Sequence, residues 1–499
     1  MPDRNSFTLF HAALTRLYFP QPHDGALTLA LTDDFDESVW REAVRRVFKD
    51  KGYQPSTLRS PEAQALISET YRHLRKAVNL GLSQQVSDTL RNALQENAFI
   101  FSGFKSYHTL RELGLSLLDQ SGNIKPFEQF LNDVQTVNAK YNRHYLNAEY
   151  KFAVSSSQMA ERWQNVAQGG DRYNLQYRTA GDERVREEHA ALDGITLPPT
   201  DPFWTKYYPP NGWGCRCTAT QVRKDKFSTS DPKAAMQAGD ACTEQPKQRI
   251  FRFNPGKELK IYPSKHPYFP KGCGSCPSRQ SFALPADTAL NLAYDPKRES
   301  CRACKQIQTL CHTAHNREIY ERLTNDPDYV NIQYNEETGA LTARHRGHKT
   351  HPNDRITYFR EQLTGDQLEE TFGDKAFKNG HSVIWRDESK KKGKNTLTAL
   401  DMDFDGKTMD LACITTNKEH YVSILSKKNR QLGRFNKRSD VHTPADTVCL
   451  YFHNPDMYQR KKIKLSINKL KSYANKVRIR RIYCAVNRGK KLQFDVFDI

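Results

Sequence analysis

The sequence predicts a multidomain α+β protein: a helical N-terminal region, a loop-rich middle and a C-terminal α+β domain with an antiparallel sheet. Helical periodicity dominates residues 37–168, prolines, glycines and aromatics crowd residues 177–217, and short alternating runs follow residue 380. The chain's 499 residues exceed one typical domain, and 25 Phe and 23 Tyr can supply apolar cores despite a hydrophobic content of 37%. We predict a helical region, a loop-rich module, a cysteine-rich segment, a linker and a basic domain at residues 1–168, 169–260, 261–325, 326–355 and 356–499.

The first region is predicted to be mainly helical. Val39, Trp40, Val44 and Phe48 recur at helical spacing, and Asp34 or Asp36 is placed to cap that helix. Pro61 stands at a helix-starting position, and residues 127–167 form a long periodic stretch. These helices would pack either on a partner protein or only on their own core.

Composition excludes several classes of protein. No stretch reaches the roughly 18 apolar residues of a membrane helix, and the N-terminus lacks the basic flank and apolar core of a secretory signal. Eleven cysteines, an odd number with two C-x-x-C pairs, fit reduced thiols and metal better than a disulfide framework. We therefore expect a protein that is made in a cytoplasm and has no membrane partner.

The stretch Tyr177–Cys217 limits its own backbone more than any other part of the chain. Five prolines and the turn-forming Gly194, Gly212 and Gly214 exclude regular helix between about residues 197 and 217. A short helix is expected before Gly194, with Arg186, His189 and Asp193 tending to share one side. A core of aromatic side chains is expected from Phe203, Trp204, Tyr207, Tyr208 and Trp213.

This order of residues resembles the phage Mu F-like minor head protein family, also called the phage head morphogenesis family. The resemblance implies a low-copy component of a tailed-phage head that enters near the portal during assembly. Its implied partners are the portal and other head proteins, and its implied location is the host cytoplasm and then the virion. The matching elements are YRT at residue 177, DERVREEH ending at His189, LDG at 192, DPFW at 201 and the closing PPNGWGCRC.

His189, Cys215 and Cys217 have the imidazole and thiolate chemistry that zinc prefers. The C-R-C spacing is closer than in a usual zinc knuckle, and Asp182 or Asp193 offers His189 an ordinary hydrogen-bond partner. Both interpretations stay open at this point.

A structural zinc site is predicted more specifically from Cys273 and Cys276 with Cys301 and Cys304. These two C-x-x-C pairs are separated by 24 residues, so four thiolates could surround one tetrahedral ion. The ion would staple a polar segment with little apolar core. A set of buried reduced thiols is the alternative.

The C-terminal part is strongly basic. Residues 341–499 hold 33 Lys and Arg against 18 Asp and Glu, a net of +15 out of the chain's +19. Such a field attracts phosphate backbones, so nucleic acid, either DNA or tRNA, is the expected partner. The alternative is a solvated basic surface. The side chains expected to contact phosphate are Lys461, Lys462, Lys464, Arg480 and Arg481.

One helix followed by strands is predicted from Ile356, with the helix ending at Gly380. Hairpin turns are expected at Asp405-Gly406 and Arg488-Gly489. The segments KNGHSV, DFDGKTMDL and RIRRIYCAV carry a resemblance to the toxin nuclease domains of contact-dependent inhibition proteins and to phage-borne barnase-EndoU-colicin-RelE-like nucleases. That resemblance implies tRNA cleavage and an immunity protein as a further partner.

Catalysis in this domain would need groups that hold a cation or a 2′-hydroxyl, steady a phosphate and transfer protons. Position 412 carries Ala where metal-dependent versions would carry Lys, which leaves the use of a divalent metal open. Alternatively, Asp401, Asp403 and Asp405 alternate only because they face water. The catalytic candidates are Asp403, Asp410, Lys407, Thr415, His420 and His453.

The leading hypothesis is a phage minor head protein that carries a nuclease-like domain. Its first rival is a toxin nuclease effector carried by a phage head module. A third hypothesis makes the basic domain a passive DNA-binding tail without catalysis.

Overall fold

The computed structural model of the chain describes residues 4–18, 34–166, 172–270, 296–349, 355–358, 361–392, 395–438, 441, 444–474 and 476–499. These residues form two compact units. Unit 1 holds the described residues up to 270 together with 296–307, and unit 2 holds those from 308 onward. The predicted multidomain α+β class is confirmed.

Unit 1 is helical up to residue 166. Asp36 caps the second helix by accepting a hydrogen bond from the backbone N–H of Ser38, as predicted, and Ser60 with Pro61 starts the third. A π-helical segment, Ala139–Tyr145, leads into the last helix of this region. The helices are α1 Arg4–Tyr18, α2 Glu37–Lys49, α3 Pro61–Gly81, α4 Asp88–Leu115, α5 Phe127–Asp133, α6 Gln135–Asn138 and α7 Leu146–Val166.

A fully buried ion pair joins α4 to α7. The ammonium nitrogen of Lys105 lies 2.5 Å from Oε2 of Glu149, and the Tyr18 hydroxyl donates to Oε1 of the same carboxylate at 2.7 Å. Burial lowers the pKa of Lys105, and Glu149 opposes that shift. Since either charge alone would be costly in this core, each group depends on the other.

Residues after 172 form a three-stranded antiparallel sheet surrounded by short helical turns, which we call the aromatic module (residues 173–258). Trp204, Tyr207 and Tyr208 are fully buried in its core, as the aromatic content predicts. The runs RIFRFNP and ELKIYP in this stretch predict short strands, and that prediction is wrong: the stretch forms turns, and Asn254 caps a helical turn there. The elements are β1 Tyr173–Arg178, α8 Glu187–Ala190, β2 Thr196–Leu197, α9 Phe203–Lys206, β3 Thr218–Arg223, α10 Pro232–Cys242, α11 Pro246–Arg249 and α12 Pro255–Glu258.

Helix α13, Pro296–Thr324, begins in unit 1 and ends in unit 2. The rest of unit 2, as described, has a mixed eight-stranded sheet, two separate two-stranded hairpins and three α-helices. Its elements are β4 Tyr329–Tyr334, β5 Leu341–His345, β6 Arg355–Tyr358, β7 Glu361–Thr364, α14 Gly365–Lys378, β8 Val383–Trp385, β9 Lys391–Lys392, β10 Asn395–Thr396, β11 Met402–Phe404, β12 Lys407–Ile414, α15 Val422–Phe435, β13 Thr447–Phe452, α16 Arg460–Tyr473, β14 Arg481–Arg488 and β15 Lys491–Asp498.

The large sheet has eight described strands in the order β4-β5-β8-β11-β12-β13-β14-β15. The predicted hairpins at Asp405-Gly406 and Arg488-Gly489 are confirmed as antiparallel pairs. Parallel pairs also occur, because α14, α15 and α16 each return the chain to start the next strand in the same direction. Strands β4 and β5 lie in the segment predicted as a linker, where they pair as a hairpin and belong to this sheet.

The two faces of this sheet carry separate apolar cores. Helix α14 packs Phe372 against Met409 and Tyr451 on one face, while α15 and α16 cover the other face with residues such as Leu425 and Ile467. Because side chains alternate along β12, Asp410 shares the face that α15 covers. The sheet therefore places an acidic residue beneath a helix.

The helix predicted from Ile356 is partly wrong. Residues 355–364 form the hairpin β6-β7, and the helix begins at Gly365. Thr364 accepts a hydrogen bond from the backbone of Gln367, whose side chain bonds back to Thr364, so a capping box fixes this start. Helix α15 was absent from the prediction.

Candidate functional site

The first candidate site is a buried cluster of nitrogen and sulfur ligands in the aromatic module. Nδ1 of His189 lies 3.7 Å from Sγ of Cys215 and 3.5 Å from Sγ of Cys217. All three side chains are buried, and their potential ligand atoms lie within 4.8 Å of one another. The cluster has the donor atoms of a zinc site.

Local structure explains why these three residues meet. His189 stands on α8, and the chain returns through the Gly212–Gly214 turn to bring Cys215 and Cys217 ahead of β3. Arg186 donates a hydrogen bond to the carbonyl of Trp213 at 2.5 Å, which ties the helical turn to that loop.

The ordinary partners expected for His189 are engaged elsewhere. Asp182 forms a two-pronged ion pair with Arg216 at 2.5 Å, and Asp193 accepts hydrogen bonds from Thr179. The prediction that one of these carboxylates satisfies His189 is therefore wrong.

Two more residues border the cluster. Burial lowers the pKa of His189, but the thiols of Cys215 and Cys242 outweigh it and raise this pKa to about 10. Cys242, at the end of α10, is buried in the same core as Cys215 and Cys217. The hydroxyl of Tyr177 interacts with the sulfur of Cys217 from the opposite strand.

The second candidate site is a buried charge cluster in unit 2. Lys428 on α15 lies 3.1 Å from Oδ2 of Asp410 and 3.6 Å from Oδ2 of Asp401. Burial, and then the neighbouring Asp401, raise the pKa of Asp410, while Lys428 opposes the shift. Asp410 is 0% exposed, so it lies beyond the reach of a substrate in this structure.

Asp403 and Asp405 are also paired rather than facing water. Both oxygens of Asp403 contact Arg386, at 2.7 and 2.8 Å. Asp405 accepts a hydrogen bond from the backbone of Ser382 and pairs with His381 at 2.8 Å. The interpretation of these alternating acids as a water-facing row is therefore wrong.

The remaining catalytic candidates fall at opposite ends of β12. Lys407 opens the strand, and Thr415 follows its last residue, about 26 Å away for eight residues of extended chain. His453 directly follows β13, which runs parallel to β12, so Thr415 and His453 share the carboxyl edge of the sheet. His420 belongs to the loop after β12.

This carboxyl edge also receives the basic start of α16. Lys462 donates a hydrogen bond to the side chain of Asn417 in the loop after β12, at 2.8 Å. Lys461 and Lys464 are exposed on the same helix. Parallel sheets commonly bind ligands at the carboxyl ends of their strands, so the edge has a suitable position and charge for an anion.

Arg480 and Arg481 lie apart from that edge. Arg480 is exposed just before β14, and Arg481 at its start donates to Asp498 at 2.6 Å. Since β14 runs parallel to β13, both arginines belong to the opposite end of the strands.

The described residues include two of the four cysteines in the predicted zinc site. Cys273 and Cys276 lie outside the described residues. Cys301 and Cys304 stand one turn apart on α13, with Cys301 exposed. This zinc site stays a prediction.

Sequence reasoning missed Cys242, Asp401 and Lys428 as members of these clusters. Lys428 stands on the helix that was not predicted, although Leu425, Leu432 and Phe435 repeat there at helical spacing. Asp401 was noted only as part of an alternating row. No local pattern connects Cys242 to His189, 53 positions earlier.

Comparison with known proteins gives a family match to part of unit 1. Residues 112–220 match a family described as Phage Mu protein F like protein. The resemblance identified from residues 177–217 is thus confirmed over a longer segment, which includes the ligand cluster of His189, Cys215 and Cys217.

Two curated relatives align with part of the chain. The Mu-like prophage FluMu F protein of Haemophilus influenzae is 31% identical over 160 residues, and the putative capsid assembly protein F of Escherichia phage Mu is 29% identical over 147 residues. The alignments cover 31% and 27% of this chain, and 37% and 30% of the relatives' lengths. No solved structure matches significantly. Among the described residues, every helix falls short of what crossing a membrane requires.

Proposed function

We propose that this protein is a minor head protein of a tailed phage or prophage that acts in head assembly near the portal. The match of residues 112–220 to Phage Mu protein F like proteins carries the proposal. One relative's name describes capsid assembly. The partners on this proposal are the portal and other head proteins, and the final location is the virion.

The matched segment packs against other parts of unit 1, so its role in head assembly should require an intact fold. The Tyr208 hydroxyl, within that segment, donates to the carbonyl of Met159 on α7 at 3.1 Å. Asn254, beyond it, donates to the carbonyl of Trp204 at 2.8 Å. The matched residues thus share a core with their neighbours in unit 1, and incorporation into heads should require that core.

The test is to follow the full chain into phage particles. Heads from cells that carry the complete phage are purified by sedimentation and probed for the wild-type chain, for Tyr208→Ala and for Phe227→Ala. The second variant removes an exposed aromatic outside the matched segment. We expect a few copies per head for wild type and Phe227→Ala, and strong depletion for Tyr208→Ala.

Absence of the wild-type chain from heads would contradict the proposal, as would normal yields of DNA-filled heads without it. A chain released as a free effector, with complete heads left behind, would favour the toxin hypothesis.

The second function we propose is binding and metal-independent cleavage of RNA by unit 2, with tRNA the first substrate class to test. The grouping of Thr415, His420 and His453 at one edge, beside the basic start of α16, favours it. Histidine pairs can serve as general base and acid for a 2′-hydroxyl and its leaving group. Asp410, by contrast, is held in the buried charge cluster.

A cleavage assay separates this proposal from its rivals. The full chain is incubated with total tRNA in EDTA and in Mg²⁺, beside His420→Ala, His453→Ala and Lys407→Ala. Lys407 lies at the far end of β12 and serves as the matched control. We expect cleavage in EDTA that both histidine variants lose and Lys407→Ala retains. Binding without cleavage would favour the passive tail, and cleavage only in Mg²⁺ would contradict the histidine mechanism.

A further inference from the structure

We propose that His189, Cys215, Cys217 and Cys242 form a structural zinc site in the aromatic module. This site is separate from the predicted four-cysteine site, and it does not depend on whether the protein acts in phage heads. The proposal stands on the geometry, donor chemistry and burial of the cluster.

The spacing of the ligand atoms fits a tetrahedral ion. With Zn–S bonds of about 2.3 Å and Zn–N bonds of about 2.0–2.1 Å, neighbouring nitrogen and sulfur ligands of a tetrahedron lie about 3.6 Å apart. The two observed distances, 3.7 Å from His189 to Cys215 and 3.5 Å from His189 to Cys217, lie on either side of that value. One ion could therefore contact all three atoms with little movement.

The fourth ligand in this proposal is Cys242, which is 1% exposed and belongs to the same core as Cys215 and Cys217. Its sulfur is not among the ligand atoms that all lie within 4.8 Å of one another, so its side chain would move towards the ion on binding. Three cysteines and one histidine make one of the common closed sets of structural zinc. A closed, buried set leaves no position for a reacting water, so the site has a structural role.

The surroundings of the site would hold the ligands in place. The Tyr177 hydroxyl interacts with the sulfur of Cys217, and Asn211 donates a hydrogen bond to that hydroxyl at 3.0 Å. Such outer partners commonly orient metal ligands and tune them. Tyr177 and Asn211 are both buried, so this support is part of the core.

The position of the site indicates how a bound ion would stabilise the fold. Its ligands come from α8, from the loop before β3 and from the end of α10. Irregular chain with few strand-pairing hydrogen bonds separates these segments. An ion at their meeting point would join these segments and replace the protons of three buried thiols. Binding free energy at such a site is also folding free energy.

The experiment measures zinc in the purified full chain by elemental analysis. The starting variant replaces Cys273, Cys276, Cys301 and Cys304 by Ser, which removes any contribution from the other predicted site. We expect this variant to hold one zinc per chain. Adding His189→Ala or Cys215→Ser should remove it, while adding the matched control Cys449→Ser, a buried thiol in unit 2, should leave it bound.

A spectroscopic measurement on the starting variant avoids dependence on variants that fail to fold. X-ray absorption at the zinc edge should report three sulfur neighbours at about 2.3 Å and one nitrogen at about 2.0–2.1 Å. Cys242→Ser should lower the sulfur count to two. A folded starting variant without zinc, an oxygen-dominated spectrum, or zinc retained by a folded His189→Ala variant would each overturn the proposal.

Discussion

The ammonium group of Lys428 lies 3.1 Å from Oδ2 of Asp410, a carboxylate that has no exposed surface. The second acid of the cluster, Asp401, accepts a hydrogen bond from the backbone of Leu411 at 2.6 Å, which anchors it to β12. Two acids thus share one lysine beneath α15. The arrangement makes the helix, the strand and the loop before β11 mutually dependent.

Lys428→Met is expected to lower the free energy of unfolding of unit 2 by about 3–5 kcal/mol, because it leaves buried carboxylates without a countercharge. Hydrogen exchange of the backbone amides of β12 and β13 measures this within unit 2. Lys427→Met, one position earlier and exposed, is the matched control and should change little. Equal effects of the two substitutions would mean that the ion pair contributes no stability.

Gly81→Ala should destabilise unit 1 by about 1–3 kcal/mol, the usual cost of overpacking a core. An added Cβ would lie 2.5 Å from the carbonyl oxygen of Val154 and 2.7 Å from Cβ of Ser157, so α3 and α7 would have to separate. Thermal unfolding followed by circular dichroism gives the change. Ser68→Ala, exposed on α3, is the control. A Gly81→Ala variant as stable as wild type would show that α3 and α7 can separate at little cost in free energy.

Asn254→Ala should cost about 2–3 kcal/mol, since it removes a helix cap and a buried hydrogen bond together. The side-chain oxygen of Asn254 accepts from the backbone of Gly256 and Lys257, and its nitrogen donates to the carbonyl of Trp204. Asn254→Asp keeps the acceptor and loses the donor, so it should fall between wild type and Asn254→Ala in denaturant unfolding. If the Asp variant were as stable as wild type, the hydrogen bond to Trp204 would contribute nothing to the free energy of unfolding.

Unit 1 should lose stability as the pH falls from about 6.5 to 3. Burial lowers the pKa of His108 to about 3, so below its ordinary value of about 6.5 the unfolded chain binds a proton that the folded chain does not. The stability that depends on a neutral His108 is fully present above the unfolded pKa. Below that pKa, the free energy of unfolding falls by up to about 1.4 kcal/mol per pH unit until the folded pKa is reached.

His108→Gln tests this origin. The amide can keep a donor for the carbonyl of Tyr268, which lies 3.0 Å from Nε2, but it does not titrate. Urea unfolding at pH 7, 5.5 and 4.5 should therefore depend less on pH in this variant than in wild type. Identical slopes would assign the acid sensitivity to other groups.

The sequence predicted the elements whose signals are local. Asp36, Pro61 and the Asp405-Gly406 turn act through neighbouring residues, and each has the predicted role. The Thr364–Gln367 capping box marks the start of α14 in the sequence. Apolar residues also occur in β6-β7 just before it, and they made the predicted helix begin too early.

The candidate clusters were less accessible to sequence reasoning, because they join residues far apart in the chain. His189 and Cys217 were noticed within one motif, whereas Cys242 reaches them only through the packing of α10. Asp410 was chosen by residue type, and its burial under α15 could not be inferred without that helix. Periodicity predicts elements, but pairings between distant elements depend on tertiary packing.

The large sheet of unit 2 has the same order in space as in the chain, from β4 at one edge to β15 at the other. Each new strand of this sheet therefore adds beside the sheet strand made before it, and only loops, a single helix or a small separate hairpin lie between them. Such closures cost little entropy. During synthesis the sheet can lengthen one strand at a time as the ribosome releases the chain, without waiting for a distant terminus to return.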